Sequence, residues 1–169
     1  MADLLHWMLV GMEADTVHDR LDEQTPDWGP RARELARTVP ACGPFDTLSA
    51  AAQTLWMGRL ACVPVVQTGA GGAVLVGMLT GHDVHRAASR HCRPLHALRV
   101  AEAMTCDPVT GHVDDVLEDT LDVFRRHAQS RLPLVDGSGR FFGLLLLEDV
   151  LEAVADGHRA ARAYAQRRV

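Results

Sequence analysis

Aromatic side chains are scarce: Phe, Trp and Tyr together make up 5% of 169 residues, although 47% of the chain is hydrophobic. The core is therefore expected to be aliphatic. Long apolar runs are missing as well; no stretch reaches the ~20 residues that a membrane-spanning helix needs. The N-terminal run LLHWMLVGM is too short, contains His6 and follows Asp3 rather than a basic segment, so it does not read as a signal peptide. There is no excess of positive charge: the formal net charge is -5, which argues against a nucleic-acid binder. The locally basic HRAARAYAQRRV at the C-terminus reads as a solvated helix end. Cys42, Cys62, Cys92 and Cys106 form no C-x-x-C pair, which excludes the usual disulfide framework for a protein expected in the cytoplasm. No serine stands in a nucleophile elbow, and no paired carboxylate sits in a hydrolase-like motif; Asp114-Asp115 read as a helix start. No catalytic residue is assigned, and the chain is not expected to be an enzyme.

What the sequence does contain is a phrase written twice. Residues 77–84 read GMLTGHDV and residues 143–150 read GLLLLEDV. Val63-Pro64-Val65-Val66 aligns with Leu132-Pro133-Leu134-Val135 at an offset of 69. At the same offset Leu48 meets Leu117, Ala52 meets Leu121 and Leu55 meets Phe124, positions that share one helix face. The offset drops to 66 at Gly77 and Gly143, and the difference falls between TGAGG at 68–72 and DGSG at 136–139. Turns are where length changes are tolerated. Each unit then reads β-α-β-β-α: an extended piece near 38–39 or 108–109, a helix over about 46–58 or 114–129, an apolar-Pro-apolar strand, a second strand over about 73–79 or 140–146, and a helix from about 81 or 147. Units of ~50 residues bury little surface alone, so two are expected to pack together about a pseudo-twofold axis with related clefts between them. The expected fold class is α+β.

This doubled pattern, with Gly-x-x-Thr-x-x-Asp after the turn, resembles a tandem CBS module, the domain first named for cystathionine β-synthase. The resemblance covers about 38–92 and 104–155. It implies a regulatory pair that binds an adenosine-containing ligand between the repeats, with AMP, ADP, ATP or S-adenosylmethionine as regulatory ligands and no required cofactor. It also implies a homodimer, and a partner protein that reads the bound state.

The motif chemistry agrees with that expectation. Thr80 stands where a strand meets a helix, and a helix N-terminus offers unpaired N–H groups to phosphate. Asp83, one turn on, can accept from ribose hydroxyls. Thr-x-x-Asp is equally a capping-box variant, and the two readings can coexist. The second copy keeps Asp149 but has Leu146 in place of Thr80, with Glu148 adding negative charge, so one competent site is expected. The resemblance assigns Thr38 and Val39 to backbone contacts with the base. Val63 and Pro64 are candidates for an apolar wall, and Arg131 for reaching phosphate from the other copy. His82, Arg86 and Arg90 are weaker candidates.

Two other functions remain open on the sequence. One is a structural or protein-interaction module with plugged clefts. The other is a metal-responsive protein using His82, His85, His91, Cys92 and His96, whose spacing matches no closed zinc motif, so no metal ligand is assigned. The expected organisation is an N-terminal helical extension (1–37), repeat one (38–92), a linker (93–103), repeat two (104–155) and a helical tail (156–169). Leu5, Met8, Leu9 and Met12 share a helix face, residues 26–30 make a break, and 147–166 can form one long helix.

Overall fold

The computed structural model of the protein describes residues 30–166; the helical face expected at Leu5, Met8, Leu9 and Met12 lies outside them. The elements, in chain order, are α1 (Ala32–Leu35), α2 (Leu48–Met57), β1 (Cys62–Gly69), β2 (Gly72–Thr80), α3 (Gly81–His91), β3 (Thr105–Cys106), β4 (Gly111–His112), α4 (Leu117–His127), β5 (Arg131–Val135), β6 (Phe141–Leu146) and α5 (Leu147–Gln166). They form an α+β fold with two three-stranded sheets, ordered β1-β2-β3 and β4-β5-β6.

The local causes are readable. The Thr47 hydroxyl caps α2 by accepting from the Ala50 amide, and the helix buries Leu48, Ala51, Ala52 and Leu55. Helix α4 carries Glu118 and Asp119 in its first turn and Arg125, Arg126 and His127 in its last, which complements the helix dipole. It buries Leu117, Thr120 and Phe124, the counterpart face of α2. Both helices are followed by a left-handed residue, Arg59 at φ 49° and Ala128 at φ 49°, one offset of 69 apart. The DGSG turn forms as expected: one Asp136 carboxylate oxygen accepts from the Ser138 amide (2.8 Å), the Ser138 hydroxyl (2.6 Å) and the Arg140 amide (3.1 Å). These bonds, led by the Ser138 hydroxyl, hold the Asp136 carboxyl below its ordinary range.

The two repeats exchange their leading segments. Strand β3 pairs antiparallel with β2 of the first repeat, Thr105 opposite Met78 and Cys106 opposite Gly77. Reciprocally, Arg37 bridges Leu144 of β6, each amide donating to the other's carbonyl at 2.9 Å. The exchange is repeated bond for bond. The Val100 amide donates to the Asp46 carbonyl and the Ala32 amide to the Asp115 carbonyl, at 3.0 and 2.9 Å. The Arg99 guanidinium donates to the Phe45 carbonyl and that of Arg31 to the Asp114 carbonyl, both at 3.0 Å. Each segment opens with its own turn, in which Glu102 accepts from the Arg99 amide and Glu34 from the Arg31 amide.

The cores follow the exchange. The first contains Leu48, Leu55, Val63, Val65 and Leu79, and also Leu98 and Val100 from the stretch read as a linker. The second contains Leu117, Phe124, Leu132, Leu134, Leu145 and Val150, and also Ala32 from the stretch preceding the first repeat. The extended pieces read near 38–39 and 108–109 are the connectors between two pairings rather than strands themselves. Cys42 bridges Val65 in parallel, and β4 runs parallel to β5, so the backbone at 38–41 and 107–110 passes from one sheet to the other. The hairpin ends also meet, at a bridge between Val74 and Arg140.

Candidate functional site

Gly77 opens the phrase GMLTGHDV because another backbone crosses it. A Cβ there would lie 2.7 Å from Met104 Sδ and 2.9 Å from the Thr105 carbonyl oxygen. Gly143 opens the second phrase for the same reason, with Ala36 Cβ and the Arg37 carbonyl oxygen each 3.1 Å from a built Cβ. The exchanged segments therefore bring Thr105 and Arg37 beside the two repeated motifs.

At the end of β2, Thr80 caps α3. Its hydroxyl accepts from the Asp83 amide at 3.3 Å and donates to Asp83 Oδ2 at 2.6 Å, while its amide donates to the same oxygen at 3.0 Å. Asp83 Oδ1 accepts from Arg86 Nη2 at 2.6 Å. The aspartate is 5% exposed, and its pairing with Arg86 and Thr80 meets the need of a buried carboxylate for partners.

A cleft of about 450 Å³ opens beside Thr80. Cys62, Met78 and Thr80 of the first repeat line one side; Thr105 and Asp107 to Val109 of the exchanged segment line another; Ser130, Arg131 and Pro133 close it from the second repeat. The Arg131 guanidinium donates to Ser130 Oγ at 3.1 Å, and no carboxylate lies within ion-pairing distance of it among the described residues. Burial pushes the Cys62 thiol up, against a smaller opposing pull from the Arg131 charge, so it stays a neutral wall. Asp107 holds a left-handed backbone at φ 47° on the cleft lining. The cleft thus offers the hydroxyls of Thr80, Thr105 and Ser130, the Gln129 amide, one carboxylate and one guanidinium that has no acidic partner among the described residues.

Of the residues singled out from sequence, the structure brings Thr80 and Arg131 to this one cleft, with Asp83 directly behind Thr80. It places the others elsewhere. Val63 is fully buried in the first core, and Pro64 is buried beside it, its carbonyl accepting from the Cys42 amide at 3.0 Å. The proline lining the cleft is Pro133. Thr38 and Val39 follow Arg37, which is bound to the second sheet; the stretch that lines the cleft is their counterpart at 105–109. Thr105, Asp107 and Cys62 were not singled out from sequence. A second alignment would have found the first two: at an offset of 68, Arg31, Glu34, Pro40 and Gly43 match Arg99, Glu102, Pro108 and Gly111. That extends each repeat backwards through the exchanged segment.

The second motif is built differently. Position 146 is a half-buried leucine and Asp149 is paired with Arg37, which donates from Nε at 2.8 Å and Nη2 at 2.6 Å. A groove of about 390 Å³ beside this pair is lined by Leu35, Arg37, Asp149, Glu152, Ala153 and Asp156. Among the described residues no group of three or more His, Cys, Asp or Glu could hold a metal ion, and no helix is long and apolar enough to cross a membrane.

Comparison with known proteins identifies the repeated unit. The CBS domain family matches residues 100–156. The chain is 33% identical over 118 residues to inosine-5'-monophosphate dehydrogenase of Streptococcus pyogenes serotype M3, covering 69% of this chain and 22% of that enzyme. It therefore spans less than a quarter of the dehydrogenases it matches. It is 30% identical over 116 residues to the CBS domain-containing protein YhcV of Bacillus subtilis, covering 69% of this chain and 79% of that one. In fold it is similar to CBSX2 of Arabidopsis thaliana, a CBS-pair protein whose structure was solved in complex with AMP, with a TM-score of 0.64 and 21% identity over 76% of this chain and 98% of the other.

Proposed function

This chain belongs to the CBS-domain family, and we propose on that ground that it is a regulatory, non-catalytic module that senses an adenosine-containing ligand in the cleft at Thr80. One observation carries the reading: a cleft lined from both repeats holds a guanidinium, Arg131, with no acidic partner among the described residues, in the same cleft as the hydroxyls of Thr80 and Thr105. A volume of about 450 Å³ lies in the range of small-molecule sites. The AMP bound by CBSX2 supports the ligand class. In this reading phosphate takes Arg131, the start of α3 and the Thr80 hydroxyl, which turns its proton from Asp83 to the ligand. A ribose hydroxyl then donates to the Asp83 oxygen that Thr80 releases. Because the ligand touches both repeats, it favours the arrangement that closes the cleft, and a partner protein reads that change.

The outer end of α2 supports assembly. Trp56 and Met57 are exposed, 66% and 77%, next to one another in sequence. We assign them to the surface that a second copy covers in a homodimer.

The test is thermal melting against AMP, ADP, ATP and S-adenosylmethionine. A ligand at ~100 times its dissociation constant should stabilise the wild type by about 2.7 kcal/mol. Arg131→Ala should abolish the response while leaving the unliganded melting temperature unchanged, since Arg131 is exposed and makes no ion pair among the described residues. No shift with any of the four would reject the ligand-sensing reading and leave a module that acts through its surface.

A further inference from the structure

The two motif aspartates are both held by arginines, but from different places in the chain. Asp83 is held by Arg86, one turn along its own helix. At the corresponding position in the second repeat, offset 66, stands Glu152, which repels Asp149 instead of pairing with it. Asp149 is therefore held by Arg37, 112 residues away. Arg37 occupies the place that Thr105 has in the first repeat, because each pairs with the β-strand residue two before the motif's Thr or Leu: Arg37 with Leu144, and Thr105 with Met78. Thr105 lines the open cleft, whereas Arg37 reaches from the matching place to the Asp149 carboxylate.

We propose that Arg37 is the residue that decides which of the two motifs takes ligand: it is a built-in occupant of the second, holding the Asp149 carboxylate in the two-pronged grip that a ribose diol would otherwise make. This rests on the proposed reading of Asp83 as a ribose acceptor, carried to Asp149 at the same place in the second motif. The geometry is that of a bidentate guanidinium–carboxylate pair, with both bonds short, and both backbone groups of Arg37 are bonded to Leu144, which fixes where its side chain starts. Phosphate meets an unfavourable field there as well. Asp149, Glu152 and Asp156 line the groove with Arg37, whereas the positions that match Glu152 and Asp156 in the first repeat are Arg86 and Arg90. A ribose can take the Asp149 carboxylate only by displacing the Arg37 guanidinium from it.

Two measurements test this. The first is calorimetric titration of AMP into two variants in which the second motif is made to match the first. One is Leu146→Thr/Glu152→Arg with Arg37 kept; the other adds Arg37→Thr. Because the displaced pair is two-pronged but exposed on the arginine side, the second equivalent of AMP should bind at least about twofold more tightly when Arg37 is replaced. A smaller ratio overturns the proposal, as does a second site of equal strength with Arg37 in place. If AMP binds none of the chains, the ligand-sensing reading fails instead, and the second measurement decides. It is hydrogen exchange of the Arg37 and Leu144 amides in the unliganded protein. Asp149→Ala should speed exchange at both by at least about twofold, with no change at Met78 and Thr105. Unchanged exchange would show that Arg37 does not occupy the motif.

Discussion

A single hydroxyl separates the two copies of the motif. Thr80 both caps α3 and faces the cleft, so its removal has two separable effects. Thr80→Ala should cost about 1 kcal/mol of stability through loss of the cap, measured by urea unfolding, whether or not ligand is present. The cysteines divide as clearly. Cys42 and Cys62 are buried, whereas Cys92 and Cys106 are exposed. Burial, with a smaller push from the Asp46 carboxylate, raises the Cys42 thiol from 9.0 to about 11. A thiol is neutral when protonated, so the unfolded chain loses this proton first. The contribution is thus fully present below about pH 9 and is lost as pH rises toward about 11. Melting temperature should fall over that window, and Cys42→Ala should flatten the fall. In the native protein, a maleimide should label Cys92 and Cys106 quickly and the other two only on unfolding.

At the scale of the element, the helices and hairpins were legible in the sequence and the exchanged segments were not. Helices α2 and α4 announce themselves through Leu48, Ala52 and Leu55 against Leu117, Leu121 and Phe124, and the DGSG turn through Asp136. Those signals are local, acting over three or four residues. Residues 31–37 and 99–106 carry little of that kind, because their partners lie far off in the chain: Arg31 meets Val116 and Arg99 meets Thr47. Pattern alone cannot say to which sheet a two-residue strand belongs. Hence the resemblance assigns Thr38 and Val39 to the base, whereas the exchange delivers Thr105 to the cleft at Thr80. Gly77 records the crossing. Gly77→Ala should destabilise the protein by about 1–3 kcal/mol, since Met104 and the Thr105 carbonyl must give way. Gly81→Ala, with nothing within 4 Å of its built Cβ, should instead raise stability by about 0.4–1 kcal/mol. Thermal or urea unfolding of the pair would compare a glycine needed for close approach with one that is not.

For the whole molecule, two hydrophobic clusters do not make two independent domains. Leu98 and Val100 are fully buried in the first core, and Ala32 in the second, so neither core is complete without residues that lead into the other repeat. Unfolding should be a single transition, with hydrogen exchange at Leu79 in the first core and at Leu145 in the second reporting the same midpoint. Separate midpoints would mean that the exchanged segments contribute too little to couple the halves. A truncation that removes residues 1–37 should lower the protection of β6 more than that of β2, although the deleted stretch precedes β2 in the chain.

The same interlacing bears on what would happen if the chain were cut. Cys92 to Pro94 are exposed and lie between the last helix of the first repeat and the segment that crosses back to it. A protease nick there would leave two fragments, each carrying the strand and core residues that the other lacks. Such fragments are complementary halves of a split protein: unfolded apart, and driven to reassemble when mixed.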